Sequence, residues 1–574
     1  MMRRVLFALF LVAGLLSGVS IHGELPPEFV PFPFSAETIP TLRANSGETV
    51  TLDARDFIHG SGASELKRVY SADFSTSVTA ASLPEDPCEI RVSFSPDMQG
   101  VHIVPLVFEW TEARRSRMDV AVFLHKKFEA DFTYRQGKAV KSVSVAGTFN
   151  GWNMARNPLN DDDGDGVWTA RVAMEPGEHK YKFVVDGEWI PDPSNPLQES
   201  GGYSNSILKA GEAFNDPIPR LIPLKSRKSG AFMEYSFLYL DASGKHPAGR
   251  ERHVLIGNEE VVLETMQEDN TIMFRVPVEA AREKPVRVFV RSHGVLWAEE
   301  ACIIEAKQSG NRPYDWRDAA IYFVFTDRFH NGDTSNDAPV KDERLAPRAD
   351  WHGGDFAGIE QKIREGYFTK LGVNTLWLSP ANRNAGGAWR DSLPPNRYFT
   401  GYHGYWPVAP RETEPHFGSM DDLKRLINTA HKSGIRVILD FVTNHTHMDH
   451  PYFQEHRDWF GTLDLPDGRK NIRLFDEHPF TTWFDTFLPS FDYPASPEAR
   501  AQTIADGLWW IEETQADGLR HDATKHIPLV FWKELCRELR ERIEIPRGIK
   551  LYQVGETISD RETIMRFVGP GLLT

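Results

Sequence analysis

Cysteine is almost absent from this chain of 574 residues: Cys88, Cys302 and Cys536 are the only three. They are far apart and odd in number, so neither a disulfide framework nor a cysteine-based metal spacing can be read from them. Stability must come from packed cores. Positive charge is also short, with 65 Lys and Arg against 81 Asp and Glu and a net charge of -16. Such a chain repels phosphates, which argues against nucleic acid or an anionic membrane surface as partner and leaves room for a neutral ligand. Long apolar runs are missing except at the start, where Arg3 and Arg4 precede an apolar stretch from Val5 to Val19. That stretch falls short of the about 20 residues a membrane span needs. With the small residues Gly18 and Ser20 behind it, it reads as an export signal over residues 1–23. No cysteine near residue 20 offers a lipid attachment. Export with so few cysteines suits a periplasmic or secreted bacterial protein.

What is present is strand signal followed by helix signal, in a chain too long for one domain. Residues 24–128 hold short alternating runs such as Glu48-Thr49-Val50-Thr51-Leu52, which predict an all-β domain to which no chemistry is assigned. Residues 129–210 predict a second β sandwich. Val143 to Gly147 alternates, a turn follows at Phe149-Asn150-Gly151-Trp152, and His179 to Val185 alternates into a hairpin at Asp186-Gly187-Glu188-Trp189. The acidic loop Asp161 to Gly166 has the composition of a calcium loop. It lacks flanking helices and a bidentate Glu, and reads as a plain polar turn. Residues 211–310 predict a third β domain, with runs at His253 to Ile256 and Val286 to Val290.

Residues 149–152, 181–189, 192–193 and 205–206 resemble the glycogen-binding type of carbohydrate-binding module. The resemblance implies that Trp152, Trp189, Lys182 and Asn205 contact a glucan. Flat rings suit the apolar C–H face of a sugar while its hydroxyls are met at the rim. Gly201 and Tyr203 depart from the family's pattern, and packing of the two Trp residues against a neighbouring domain is the other reading, left open here.

From about Pro313 apolar runs alternate with helical stretches such as Met420 to Ser433 and Leu529 to Ile543, the pattern of a parallel α/β domain over residues 314–574. Five runs predict buried strands: Ala320 to Phe325, Val373 to Leu378, Ile435 to Leu439, Ala516 to Arg520 and Lys550 to Val554. Acids follow three in succession, Asp440, Asp522 and Glu556. In a (β/α) barrel the C-terminal strand ends converge on one site, so these carboxylates meet the demand of glycoside hydrolysis for a nucleophile and a proton donor. Asp440 also reads as a structural partner of Arg520.

The segments Asp440 to His445, Gly518 to His526, Gly555-Glu556, Leu488 to Asp492 and Gly401 to Trp406 together resemble the α-amylase family of retaining glycoside hydrolases. Their order along the chain makes the resemblance specific. It implies a (β/α)8 TIM barrel with an inserted loop domain at about 446–500, and hydrolysis of α-1,4-glucosidic bonds in starch, glycogen or maltooligosaccharides. It implies Asp522 as nucleophile and Glu556 as acid and base, with Arg520, His445, Tyr405, His403, Lys525, His526 and Asp440 around the substrate. Arg520 is expected to keep Asp522 ionised, and Glu556 to have a raised pKa. A structural Ca2+ is implied at Asn331, Asp333, Asn336, Asp337, Gly353 and Asp355, whose oxygen donors suit that ion; a polar turn is the alternative. The family's fourth signature, a strand ending in Asn-His-Asp, is not found before Thr574. The barrel is therefore expected to be C-terminally truncated. Transglycosylation on the same substrates and non-catalytic glucan binding remain as alternatives.

Overall fold

The computed structural model describes residues 32, 38–59, 62–71, 77–110, 114–135, 140–174, 177–199, 204–210, 220–240, 252–261, 270–281, 284–291, 297–303, 316–475, 477–559, 563–564, 566–568 and 571–573. The expected export signal, Gly201 and Tyr203 lie outside them. The chain divides into two compact units, Met1–Pro313 and Tyr314–Thr574.

Among the described residues, the first unit is built of strands around three larger cores, with a small fourth cluster of Val101, Ala121, Leu255 and Phe289. Seven strands between Leu42 and His125 form one sheet, with Trp110 and Phe108 fully buried in its core. Next comes a pair of sheets. One contains Val143–Gly147, Gly177–Val185 and Ser206–Ala210; the other pairs Phe128–Arg135 with Val167–Met174. Alternation sends Phe132, Val145, Val172, Tyr181 and Phe183 into one shared core. The Tyr181 hydroxyl is satisfied by donating to Asp192 Oδ2 at 2.6 Å, as a buried phenol requires. Two further sheets between Arg220 and Ile303 share a third core containing Tyr235, Phe237, Val254 and Val288.

The second unit carries a parallel sheet of five strands: β1 (Ile321–Val324), β2 (Thr375–Leu378), β3 (Arg436–Phe441), β4 (Gly518–His521) and β5 (Tyr552–Gly555). They neighbour one another in sequence order. Five residues of β3 and all four of β4 are buried, because helices cover one face and the site fills the other. The covering helices are α1 (Phe356–Arg364), α2 (Met420–Lys432), α3 (Pro497–Thr514) and α4 (Leu529–Leu539). Sequence sets their ends. Ser419 and Asp422 form a reciprocal capping box at the start of α2, and Ser496 caps α3 with Pro497 in its first turn. The helix expected over Leu529 to Ile543 ends as α at Leu539 and continues as a π turn over Arg540–Glu544.

Two glycines make this packing possible. A Cβ on Gly518 would lie 2.2 Å from the Tyr552 carbonyl oxygen, so β4 and β5 meet at their closest only without one. A Cβ on Gly507 of α3 would lie 2.9 Å from the Phe441 ring. The segment between β3 and α3 has two short helices, Pro451–Glu455 and Arg457–Trp459. Much of its order comes from side chains, such as Ser392 donating to Asp485 Oδ2 at 2.9 Å.

Candidate active site

The register places Asp440 beside Arg520 and His521 beside Gly555. Side chains alternate along a strand, so Arg520 and Asp522 face the same way as Asp440. The ladder continues past the strand ends: Asp522 N donates to the Phe441 carbonyl at 3.2 Å and Glu556 N to the His521 carbonyl at 2.9 Å. The three acids that sequence placed after successive strands are therefore brought together.

Arg520 joins them. Its Nη1 donates to Asp440 Oδ1 at 2.9 Å, Asp440 Oδ2 at 3.0 Å and Asp522 Oδ1 at 3.0 Å. Its Nη2 lies 2.7 Å from Glu556 Oε2. Asp440 Oδ2 also accepts from Trp377 Nε1 at 3.1 Å and from the Tyr405 hydroxyl at 2.8 Å. The guanidinium lies 4.9 Å from the centre of the Trp377 ring, a cation–π contact. After Asp522 the backbone turns left-handed at Ala523, φ 49°, and the Ala523 N–H donates to Glu556 Oε2 at 3.3 Å.

The electrostatics correct an expectation. Arg520 does not serve Asp522 alone; it is shared among three carboxylates. Burial, reinforced by the charges of Asp440 and Glu556, raises the Asp522 carboxyl well above its ordinary range. Glu556 is held below its ordinary range, because the Arg520 charge and the Ala523 N–H outweigh its partial burial. Both directions are opposite to those expected. Asp440 is pushed up to about 6 by burial, although Arg520, Tyr405 and Trp377 oppose the shift. Two buried acids beside one guanidinium cannot both stay ionised cheaply, which is why both are shifted upward.

The other expected residues surround this centre. His445 Nε2–H donates to the Tyr405 carbonyl at 3.0 Å, and its buried Nδ1 has no partner. His403 Nδ1 accepts from Tyr405 N at 3.0 Å. The His526 ring lies tilted against Phe475 at 4.5 Å between ring centres, and Phe484 contacts Phe475 and His445 at 5.4 and 5.1 Å. Lys525 Nζ donates to the Ile558 carbonyl at 2.9 Å. Sequence reasoning missed Trp377, Phe475 and Phe484. Trp377 was open to it, since the apolar run containing it is the neighbour of the strand that carries Asp440.

In the loop after β1, Asn331 Nδ2 donates to both Asp337 oxygens at 2.8 and 2.9 Å. The Asn331 and Asn336 amide oxygens are buried without partners. Gly353 sits so close that a Cβ there would lie 2.3 Å from Asp337 Oδ1. Asp355 is committed to the backbone, accepting from Gly332, Asp333 and Gly358. Orphaned amide oxygens beside carboxylates fit a hard cation. In the first unit, the carboxylates of Asp161, Asp163 and Asp165 lie within 4.8 Å of one another.

On the carbohydrate-module stretch, the Trp152 and Trp189 rings are 6.2 Å apart at 45°, and Trp189 is 40% exposed. Lys182 lies in the strand Gly177–Val185, and Asn205 Nδ2 donates to Glu199 Oε2 at 2.6 Å. Glu199 is in turn 2.5 Å from Lys180 Nζ.

Residues 323–544 match the family model described as alpha amylase, catalytic domain. The chain carries an alpha-amylase catalytic domain. Residues 128–212 match the glycogen recognition site of AMP-activated protein kinase. Beyond the family models, a periplasmic alpha-amylase of Escherichia coli is 36% identical over 323 residues, covering 43% of this chain and 46% of that protein. A cyclomaltodextrin glucanotransferase of Bacillus sp. (strain 1-1) is 32% identical over 234 residues, covering 38% and 32%. Among solved structures, an Anoxybacillus alpha-amylase is 33% identical with a TM-score of 0.35, covering 42% of this chain and 48% of that one. The chain thus spans less than half the length of these relatives.

Proposed function

We propose that the alpha-amylase domain hydrolyses α-1,4-glucosidic bonds in starch, glycogen or maltooligosaccharides with retention of configuration. The observation that carries this is Asp522 and Glu556 just past the ends of adjacent strands, both held against the one guanidinium of Arg520. Inverting enzymes keep their carboxyls apart to admit a water, whereas retaining ones keep them close. Asp522 attacks the anomeric carbon while Glu556 gives its proton to the departing oxygen; Glu556 then takes a proton from the water that releases the sugar. Arg520 and Asp440 hold the nucleophile's carboxylate in place. His445, His403 and Tyr405 border the bound sugar, and Lys525 and His526 stand on the side of the departing chain.

Calcium at the loop after β1 is part of the same reading. Asn331, Asp333, Asn336, Asp337 and the Gly353 carbonyl would hold it, and Asp355 would brace the loop from α1. The ion supplies structural pinning. Trp152, Trp189, Lys182 and Asn205 are proposed to hold an α-glucan. The periplasmic alpha-amylase among the relatives supports export, and among the described residues no helix is long and apolar enough to cross a membrane.

The test is reducing-sugar release from soluble starch by the full chain, with Asp522→Asn as control. Release by the native protein alone supports the reading; equal release by both refutes it. Glycosyl transfer to a sugar acceptor is a second reading, favoured by the glucanotransferase similarity, and the ratio of transfer to hydrolysis decides it. Non-catalytic glucan binding is favoured by one observation. β1 and β5 each have a single described neighbour, and Ile321 and Phe323 of β1 are 41% and 38% exposed, unlike the filled wall of a closed barrel. Glucan binding without turnover would establish it.

A further inference from the structure

We propose that Glu199 is a positioning residue of the glucan site on the first unit, turning the Asn205 amide so that its oxygen meets a sugar hydroxyl. This rests on the reading above that Trp152, Trp189, Lys182 and Asn205 hold an α-glucan, and it adds a residue that acts through Asn205.

Strand geometry puts these residues on one face. Along Gly177–Val185, Tyr181 and Phe183 are buried in the core of the sandwich. Side chains alternate along a strand, so Lys180, Lys182 and Val184 point to the opposite face. The register adds the neighbours. Trp189 pairs with Val184, Ala146 with Lys182 and Ile207 with Lys180. Ser206 pairs with Tyr181, and one step further along the same register sets Asn205 beside Lys182. The Trp152 ring lies 6.2 Å from that of Trp189. The face therefore runs from two indoles to Lys182, Asn205 and Lys180. An apolar platform with a polar edge is what a sugar ring needs, since its C–H face is apolar and its hydroxyls lie at the rim.

Glu199 closes the polar edge. Its backbone is fixed, because Gln198 bridges to Ser206 and Glu199 N donates to the Asn205 carbonyl at 2.9 Å. Its Oε2 accepts from Asn205 Nδ2 at 2.6 Å, and its Oε1 lies 2.5 Å from Lys180 Nζ. An ionised carboxylate only accepts, so it selects the NH2 end of the amide and leaves Asn205 Oδ1 as the end turned away from it. The neighbouring lysine gives that choice its consequence. An ammonium only donates, so a glucan hydroxyl that accepts from Lys182 has its own proton left to give. Asn205 Oδ1 is the acceptor for it. Without Glu199 the amide is free to present its NH2 instead, and two donors then compete for one hydroxyl oxygen. The Lys180 and Glu199 side chains are 44% and 28% exposed, and an ion pair this open contributes little to stability.

The test is retardation of the full chain in gels containing glycogen, with Asp522→Asn present throughout so that the glucan is not consumed. The binding lost on Trp152→Ala with Trp189→Ala defines the share that belongs to this face. Within that share Glu199→Ala is expected to weaken binding about fivefold, the worth of one hydrogen bond, with the Tm of the first unit unchanged within about 2 °C. Glu199→Gln, whose side-chain oxygen still accepts from Asn205, is expected to restore most of the binding. In an Asn205→Ala background Glu199→Ala is expected to have no further effect, because the two residues act as one. Binding of native strength in Glu199→Ala overturns the proposal. So does a further loss in the Asn205→Ala background, or tryptophan-dependent binding that ignores Asn205→Ala. If the tryptophan substitutions themselves leave binding unchanged, the glucan reading of this face fails, and the role of Glu199 with it.

Discussion

Acidification is the perturbation on which the second unit is most exposed. His445, His447, His450 and His521 are each at most 3% exposed. Burial holds their pKa values at about 4, 4, 3 and 4, against an ordinary 6.5. The sign follows from which state binds the proton. A folded pKa below the unfolded one gives stability that is present above pH 6.5 and lost as pH falls toward 4. Between pH 7 and pH 5 each unfolded histidine charges while its folded counterpart stays neutral, removing about 1.8 kcal/mol per residue and about 7 kcal/mol for the four. Asp440 acts the other way: its folded pKa of about 6 exceeds its ordinary 3.8, so acidification returns about 1 kcal/mol. The four histidines less Asp440 give a loss of about 6 kcal/mol, which rivals the whole stability of an ordinary domain; His403 and His526, lowered by burial to about 3 and about 4, add to it, and Asp522, raised by burial, opposes it. Calorimetry of the transition belonging to the second unit should show Tm falling by roughly 15 °C from pH 7 to pH 5. His447→Phe, which removes a buried ring nitrogen without a partner, should recover about a quarter of the fall. A Tm that changes by less than about 3 °C would refute the reasoning, because it would mean these imidazoles protonate as readily folded as unfolded.

Gly507→Val should cost about 2 kcal/mol or more by pressing on the Phe441 ring 2.9 Å from the added Cβ; equal urea midpoints for the two proteins would contradict this. Calcium removal with a chelator should lower the Tm of the second unit and leave the first unit's transition in place, and Asn331→Ala should reduce the effect of added calcium. Trp189→Ala should weaken binding to insoluble starch by about tenfold, within the range of a lost stacking contact, with little change in Tm because the ring is 40% exposed. Unchanged retention on starch would return Trp189 to a packing role.

How much of this was legible in the sequence depends on which interactions are local. The apolar runs that became β3 and β4 were the most readable, because parallel strands buried on both faces leave no alternation to confuse the count. Their ends moved by one or two residues: Asp440, read as following its strand, lies inside β3. Spacing also showed that Asp440, Arg520, Asp522 and Glu556 would converge, since strand register converts sequence position into direction. Protonation was not legible, and the reason is physical. Arg520 two residues before Asp522 suggests a private ion pair, but a guanidinium has five donors in a fixed fork. Nothing in the local sequence tells that Glu556, on the next strand, occupies one arm of it. The segment between β3 and α3 was illegible for a related reason. It has little regular periodicity, and its order comes from contacts far apart in the chain, such as Ser392 with Asp485 and Tyr405 with His445. The contacts that join the site, Arg520 with Asp440 from one neighbouring strand and with Glu556 from the other, likewise lie beyond the reach of any local pattern.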